Sequence, residues 1–265
     1  MYSPFRLAQK YLRYYLTAAN GRGHGTHSPF VFEFITKVLN DRQPCPAYDT
    51  VEQLRRQLLA DSTLLEIKDM GAGSAYTTDT HTRTIADIAK KAAKPPRLGK
   101  LLHRFARHYQ PSTILELGTS MGLSTAYLAT GAPNAAVYTI EGAPQVAAAA
   151  EHNLRSLHLT PTVLTGSFDE QLPALLPRIP PVDLAFIDGN HRLEPTLRYF
   201  NRLLPHLSPT SALIFDDIHW SAEMEAAWTA IKADSRAMLT IDIFFLGFVI
   251  FREEFKVKQD FVIRF

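Results

Sequence analysis

Thr113-Ile-Leu-Glu-Leu-Gly-Thr-Ser-Met-Gly-Leu-Ser-Thr125 reads as a short apolar strand, a tight glycine turn and the start of a helix. A second strand-like run, Ala136-Val-Tyr-Thr-Ile-Glu141, follows and ends on an acid. Strand, glycine turn, helix and a carboxylate about 20 residues on is the layout of a nucleoside-cofactor site. Backbone must approach such a ligand closely at a helix N-terminus, and Gly118 and Gly122 carry no Cβ to block it. Thr119, Ser120 and Ser124 complete the candidate binding turn. Glu116 on the strand is placed to accept from a ligand ammonium, and Glu141 to accept both hydroxyls of a ribose.

Outward from this stretch, strands and helices alternate. Candidate strands are 113–118, 137–141, 162–165, 184–188 and 212–216, with helix-like segments between them and another at 222–234. That rhythm argues for an α/β fold with a parallel sheet and helices on both faces. The end differs: 239–245 and 248–252 are strand-like and joined around Gly247, with no room for a helix. They must form a hairpin, so the last strand runs antiparallel. Residues 261–265 suit one more short strand or a docked tail. Before Pro111 the chain reads as helical, at 5–19, 30–39 (opened by Ser28-Pro29), 50–60, 85–93 and 98–109. Two parts are expected: an N-terminal helical extension over 1–96, with a polar, irregular 61–82 suited to a lid, and a cofactor domain over 97–265.

Bulk numbers exclude several classes. The chain has 265 residues and a net charge of +2, so no strong overall field steers it to nucleic acid or membrane. One cysteine, Cys45, rules out an intrachain disulfide or thiolate cluster and suits a cytoplasmic location. The N-terminus shows no signal-peptide pattern, and no apolar run is long enough to cross a bilayer.

Two cofactors compete. A nicotinamide or flavin dinucleotide favours Gly-x-Gly-x-x-Gly around its pyrophosphate, but position 120 is serine. S-adenosylmethionine carries an ammonium and a carboxylate instead, and a strand acid followed by Gly-x-x-x-Gly suits it better. Glu116-Leu-Gly-Thr-Ser-Met-Gly-Leu-Ser124, Tyr138-Thr-Ile-Glu141 and Val182-Asp-Leu-Ala-Phe-Ile-Asp-Gly-Asn-His191 together resemble class I S-adenosylmethionine-dependent methyltransferases. The resemblance is nearest to the branch with catechol and caffeoyl-coenzyme A O-methyltransferases, and it covers roughly residues 97–252. It implies a Rossmann-like, seven-stranded sheet with an antiparallel last strand. It also implies that Ser167 and Phe168, in the turn after the third strand, read the adenine. A second acid-plus-glycine turn, Glu66 to Ser74, lacks the helix and trailing acid that such a site needs.

Active sites of open α/β sheets lie at the carboxyl ends of the strands. Asp188 and the Asp216-Asp217 pair end two of them. Three converging carboxylates call for a cation, so all three are candidate ligands of Mg²⁺ or another divalent ion. The resemblance places an acid at Asp188 and an Asp-Asn pair at 216–217; here the second residue is Asp. It also places a general-base lysine where this chain has His191, a residue able to accept a proton near neutral pH. Asp188 and His191 are thus the catalytic candidates, with His219 a weaker one and His24 and His27 assigned to turn and capping roles.

The expected function is S-adenosylmethionine-dependent O-methylation of a small molecule, with divalent-metal assistance as an option. The alternatives are a catalytically silent, methyltransferase-like binding protein and a nicotinamide-dependent oxidoreductase. The acceptor would be chosen by the N-terminal helices, the 61–82 loop and Trp220. The aromatic stripes of those helices suit core packing or a homodimer contact.

Overall fold

The computed structural model describes residues 1–23, 27–68 and 80–265. In chain order the helices are α1 Pro4–Thr17, α2 Pro29–Glu33, α3 Pro46–Ala60, α4 Ile85–Ala92, α5 Pro96–Tyr109, α6 Leu123–Gly131, α7 Pro144–Ser156, α8 Phe168–Leu175, α9 Leu193–Leu203 and α10 Ala222–Ala233. The strands are β1 Leu64–Lys68, β2 Thr80–Thr84, β3 Thr113–Leu117, β4 Ala136–Glu141, β5 Thr162–Thr165, β6 Val182–Ile187, β7 Leu207–Asp216, β8 Leu239–Asp242, β9 Leu246–Ile250 and β10 Gln259–Val262. The chain forms two compact units, one of Met1–Asn40 with Ile179–Phe265 and one of Asp41–Arg178.

The main sheet has eight strands and is mostly parallel. In the Asp41–Arg178 unit, β3 pairs β4 and β4 pairs β5, all parallel. Every residue of β3 is buried, Glu116 included, as befits a strand covered on both faces. Helices α5 and α6 lie close because Gly99 and Gly131 leave room: a Cβ at Gly99 would stand 2.4 Å from the Tyr127 ring, and one at Gly131 2.5 Å from the His103 carbonyl. A separate antiparallel pair joins β1 to β2, Leu64 opposite Thr84. The irregular segment expected at 61–82 therefore contains strand, from Leu64 to Lys68 and again from Thr80. Residues 69–79 between them, which carry the glycines of the second acid-glycine motif and half of the suggested lid, lie outside the described residues, as does His24.

In the other unit, β6 and β7 are parallel, β9 is antiparallel to both β7 and β8, and β10 runs parallel to β8. The hairpin anticipated from the sequence is present, and its second strand, β9, inserts between β7 and β8. The sheet exceeds the expected seven strands by one: the tail adds β10, whose residues alternate in burial and extend the β8 edge. The hairpin turn falls at 243–245 rather than at Gly247. Phe244 takes a left-handed φ of 73° there, and the Asp242 side chain accepts from its amide at 2.8 Å. Gly247 sits inside β9, where a Cβ would stand 2.8 Å from the Trp228 ring.

Helix α1 opens with Ser3 accepting from the Arg6 amide and Pro4 in the first turn. It packs Tyr11 and Tyr14 against Phe244 and ties Tyr14 to the tail, since the phenol donates to the Ile263 carbonyl and accepts from the Phe265 amide. Downstream, α2 begins at Pro29 as expected but runs into a π-helical turn over Phe34–Leu39.

Candidate functional site

The turn after β3 is built from backbone in the left-handed region. Gly118, Ser120 and Gly122 have φ of 106°, 47° and 82°. Ser120 therefore holds the conformation for which a dinucleotide turn uses its middle glycine, and does so at some strain. Its amide donates to Oε2 of Glu141 at 2.9 Å, and the Ala143 amide donates to Oε1 at 3.0 Å. Both oxygens of Glu141 are thereby oriented, each with a lone pair to spare for a diol. Burial pushes the Glu141 carboxyl up, against the pull of those amides. Gly122 has a reason beside the one read in the sequence: a Cβ there would meet Leu154 of α7 at 3.1 Å, so this glycine also serves its own φ and the packing of α7.

Glu116 is fully buried. Its Oε2 accepts from the hydroxyls of Thr125 and Thr139, the latter at 2.7 Å. Thr139 has one proton and gives it to Glu116, so the Thr119 hydroxyl, 2.6 Å from that of Thr139, must be the donor to it. Oε1 of Glu116 is buried and has no hydrogen-bond partner among the described residues. Burial pushes this carboxyl up to about 7, although the hydroxyls of Ser124, Thr125 and Thr139 oppose the rise. A buried, unanswered acceptor costs about 1–3 kcal/mol, so its presence asks for a ligand donor. The ammonium of S-adenosylmethionine fits that demand and a pyrophosphate does not.

Ser167 and Phe168 open α8. The Ser167 hydroxyl caps the helix by accepting from the Glu170 amide at 3.3 Å, and Phe168 is half-buried. The preceding Gly166 donates its amide to the Glu141 carbonyl at 2.9 Å, which fixes this turn to the end of β4. Thr125 and Thr139, the two hydroxyls that hold Glu116, were missed by sequence reading. Their signal was polarity on faces that should be apolar.

In the other unit, Asp188, His191 and Asp216 come together: one ligand atom from each lies within 4.8 Å of the others. His191 Nε2 stands 3.6 Å from Oδ1 of Asp188. The loop that carries them is braced by Asn190, at φ 61°, whose amide donates to the Tyr199 hydroxyl at 2.9 Å. Asp216 is buried while His191 is half-exposed, so an ion here would be reached from the histidine side. Two carboxylates and an imidazole fit a divalent ion, and the nitrogen donor favours a transition ion over Mg²⁺. Asp217 stands apart from this trio: at φ 54° it turns the chain, its amide donates to the Phe245 carbonyl, and it lines a separate pocket.

That pocket, about 300 Å³ and almost wholly apolar, is lined by Leu7, Ala8 and Tyr11 of α1 with Asp217, His219, Trp220, Phe244 and Phe245. His219 is stacked on Phe244 with ring centroids 5.1 Å apart. Its Nδ1 lies 3.0 Å from Glu225 and its Nε2 2.8 Å from Asp242. With a carboxylate on each nitrogen it has none left to accept a substrate proton. Burial alone would lower its pKa, but the two carboxylates outweigh that and raise it. Glu225 also binds Lys10 and Tyr2 of the N-terminal segment.

Residues 115–218 match the family model of a methyltransferase domain. Over 142 residues the chain is 33% identical to a catechol O-methyltransferase of Niastella koreensis, covering 52% of this chain and 63% of that protein. The chain thus spans less than two thirds of that relative's length. Among solved structures, a methyltransferase from Podospora anserina bound to S-adenosylhomocysteine shares the fold with a TM-score of 0.59 at 15% identity, over 96% of this chain and 98% of that one. An O-methyltransferase from Bacillus cereus in complex with the same molecule gives a TM-score of 0.55 at 20% identity, over 83% and 96%. These likenesses support a class I S-adenosylmethionine-dependent methyltransferase domain over the matched segment. Within that class the likeness is to the branch with the catechol and caffeoyl-coenzyme A O-methyltransferases.

Proposed function

We propose that this protein transfers the methyl group of S-adenosylmethionine to an oxygen of a small, largely apolar acceptor. The observation that carries the reading is Glu116, a buried carboxylate with an unanswered oxygen at the head of a glycine turn. In this reading Glu116 accepts from the cofactor ammonium and Glu141 from the ribose hydroxyls. The amides of Ser120 and Ala143 keep Glu141 oriented while unliganded. Bound cofactor supplies a methyl group on a sulfonium, already a good leaving group, so the chain's task is alignment and removal of one proton.

Asp188, His191 and Asp216 would hold a divalent ion, which supplies a Lewis acid for the acceptor oxygen. Where no ion is held, His191 is the group positioned to accept the acceptor's proton, and Asp188 at 3.6 Å would orient the imidazole. Asp216 and Asp217 are consecutive, so the apolar pocket beside Trp220 begins one residue from the acid cluster. A flat apolar acceptor suits its aromatic lining.

Calorimetric titration with S-adenosylhomocysteine tests the cofactor reading. Binding is expected, and its absence at roughly millimolar ligand, a free energy of about −4 kcal/mol, would overturn it. Glu141→Ala should weaken that binding more than tenfold, equivalent to about 1.4 kcal/mol. For the metal, titrating Mn²⁺ into the protein should give a single site that Asp216→Asn weakens by roughly tenfold or more. Equal heats for wild type and variant would remove these residues from the role.

A further inference from the structure

The outer face of α1 has no use in methyl transfer. Leu7, Tyr11 and Tyr14 point this helix inward. On another side, Phe5, Leu12 and Leu16 lie at i, i+7 and i+11, one stripe of a helix, and are 74%, 58% and 70% exposed. Tyr15 widens the stripe at 44% exposure. Aliphatic and aromatic side chains so fully in water are costly to leave uncovered when they adjoin.

The charges on the helix itself are all of one sign. Helix α1 contains Arg6, Lys10 and Arg13 and no acid; the first carboxylate in the sequence is Glu33. Lys10 is spent on Glu225, but Arg6 and Arg13 are exposed on the flank of the stripe. On the opposite flank the guanidinium of Arg264 lies 4.4 Å from the centre of the Tyr15 ring. The chain's overall charge of +2 hides this concentration, because its 26 acids all lie at or after residue 33.

We propose that α1 is a peripheral membrane contact, with Phe5, Leu12 and Leu16 entering the headgroup boundary of an anionic bilayer and Arg6, Arg13 and Arg264 meeting its phosphates. The chemistry is that of an interfacial amphipathic helix lying in the plane of the surface. Among the described residues no helix is long and apolar enough to cross a membrane, and this contact needs none. A second copy of the chain fits the face less well. A two-fold contact through α1 would set Arg6 and Arg13 of one copy near those of the other, with no carboxylate on the helix to answer them. An anionic surface answers all of them at once. The inference does not depend on the chain being a methyltransferase.

Co-sedimentation of the full chain with vesicles tests it. Binding is expected to vesicles of mixed phosphatidylglycerol and phosphatidylcholine and to be lost with phosphatidylcholine alone. The variant Phe5→Ser/Leu12→Ser/Leu16→Ser changes only exposed positions, and circular dichroism would check its fold. It should bind at least tenfold more weakly, and Arg6→Gln/Arg13→Gln should weaken binding and flatten its salt dependence. No binding to the anionic vesicles at low salt would overturn the proposal, as would equal binding by the apolar variant. So would a dimer, seen by sedimentation velocity, that the apolar variant dissociates while vesicle binding is absent; the face would then belong to a second copy.

Discussion

Glu116→Gln is expected to make the free protein more stable at pH 8 and to weaken its hold on S-adenosylhomocysteine by about ten- to a hundredfold. The second effect follows from losing a charge-assisted bond to the ligand ammonium, a contact of about 1.5–3 kcal/mol. The first follows from linkage. The Glu116 carboxyl titrates near 7 in the folded chain and at its ordinary 4.5 when unfolded. Between those values the native state keeps a proton that the unfolded state has lost, so stability falls as pH rises through this window. Above about 7 the native carboxylate is ionised and the penalty is complete. Glutamine keeps an acceptor for Thr125 and Thr139 and removes the charge. Its Tm advantage should therefore be small at pH 4 and full at pH 8, at about 2–4 °C for each kcal/mol relieved. Wild-type affinity for the ligand should also decline as pH drops below 7, and the variant's should not. Thermal melts and titrations at pH 6 and 8 measure both, and a variant with unchanged affinity and no alkaline gain in Tm would refute the assignment.

His219→Ala is expected to cost about 3–5 kcal/mol, the usual result of stripping one partner from a buried ionic cluster. It would leave Asp242, whose side chain is 5% exposed, beside Glu225 with no imidazolium between them. The loss would reach α1, since Glu225 is also the anchor for Lys10 and Tyr2. The pH dependence has the opposite form to that of a depressed acid. The His219 pKa is raised above its ordinary 6.5, so its contribution is fully present below about 6.5 and disappears as pH climbs through the folded value. Urea unfolding of wild type and variant at pH 6 and pH 9 should show a gap that narrows at the higher pH. A constant gap would mean that packing on Phe244 matters and the charge does not.

Much of this architecture is written locally. The β–α rhythm, the glycine turn and the terminal hairpin follow from apolar period and from the lack of room for a helix between residues 239 and 252. The turn of that hairpin was misplaced because a phenylalanine at φ 73° breaks the ordinary rule that glycine marks left-handed backbone. Asp242 stabilises it from the side, through a hydrogen bond that no sequence pattern announces. Strand β10 is short and sits at an edge, where pairing depends on which neighbour is available rather than on composition. In the site, Glu116 and Glu141 were legible because a carboxylate on or ending a strand beside a glycine turn has few other uses. Asp188, His191 and Asp216 were legible as two acidic strand ends and a nearby histidine; only the choice of Asp216 over Asp217 needed coordinates, since nothing in their order separates the two. The two-carboxylate grip on His219 joins α10 to β8 across distances in sequence that no motif spans.

The direction of the hydroxyls around Glu116 has a further consequence for what can enter. With Thr125 and Thr139 donating to Oε2, Oε1 is the oxygen left for a proton on the carboxyl. Below about pH 7 the free turn therefore presents a donor, and above it a bare negative oxygen. At alkaline pH such an oxygen would favour a cation over a phosphate or carboxylate. On the proposed reading, this one oxygen would make the glycine turn select for ligand charge, favouring an ammonium over the pyrophosphate of a dinucleotide.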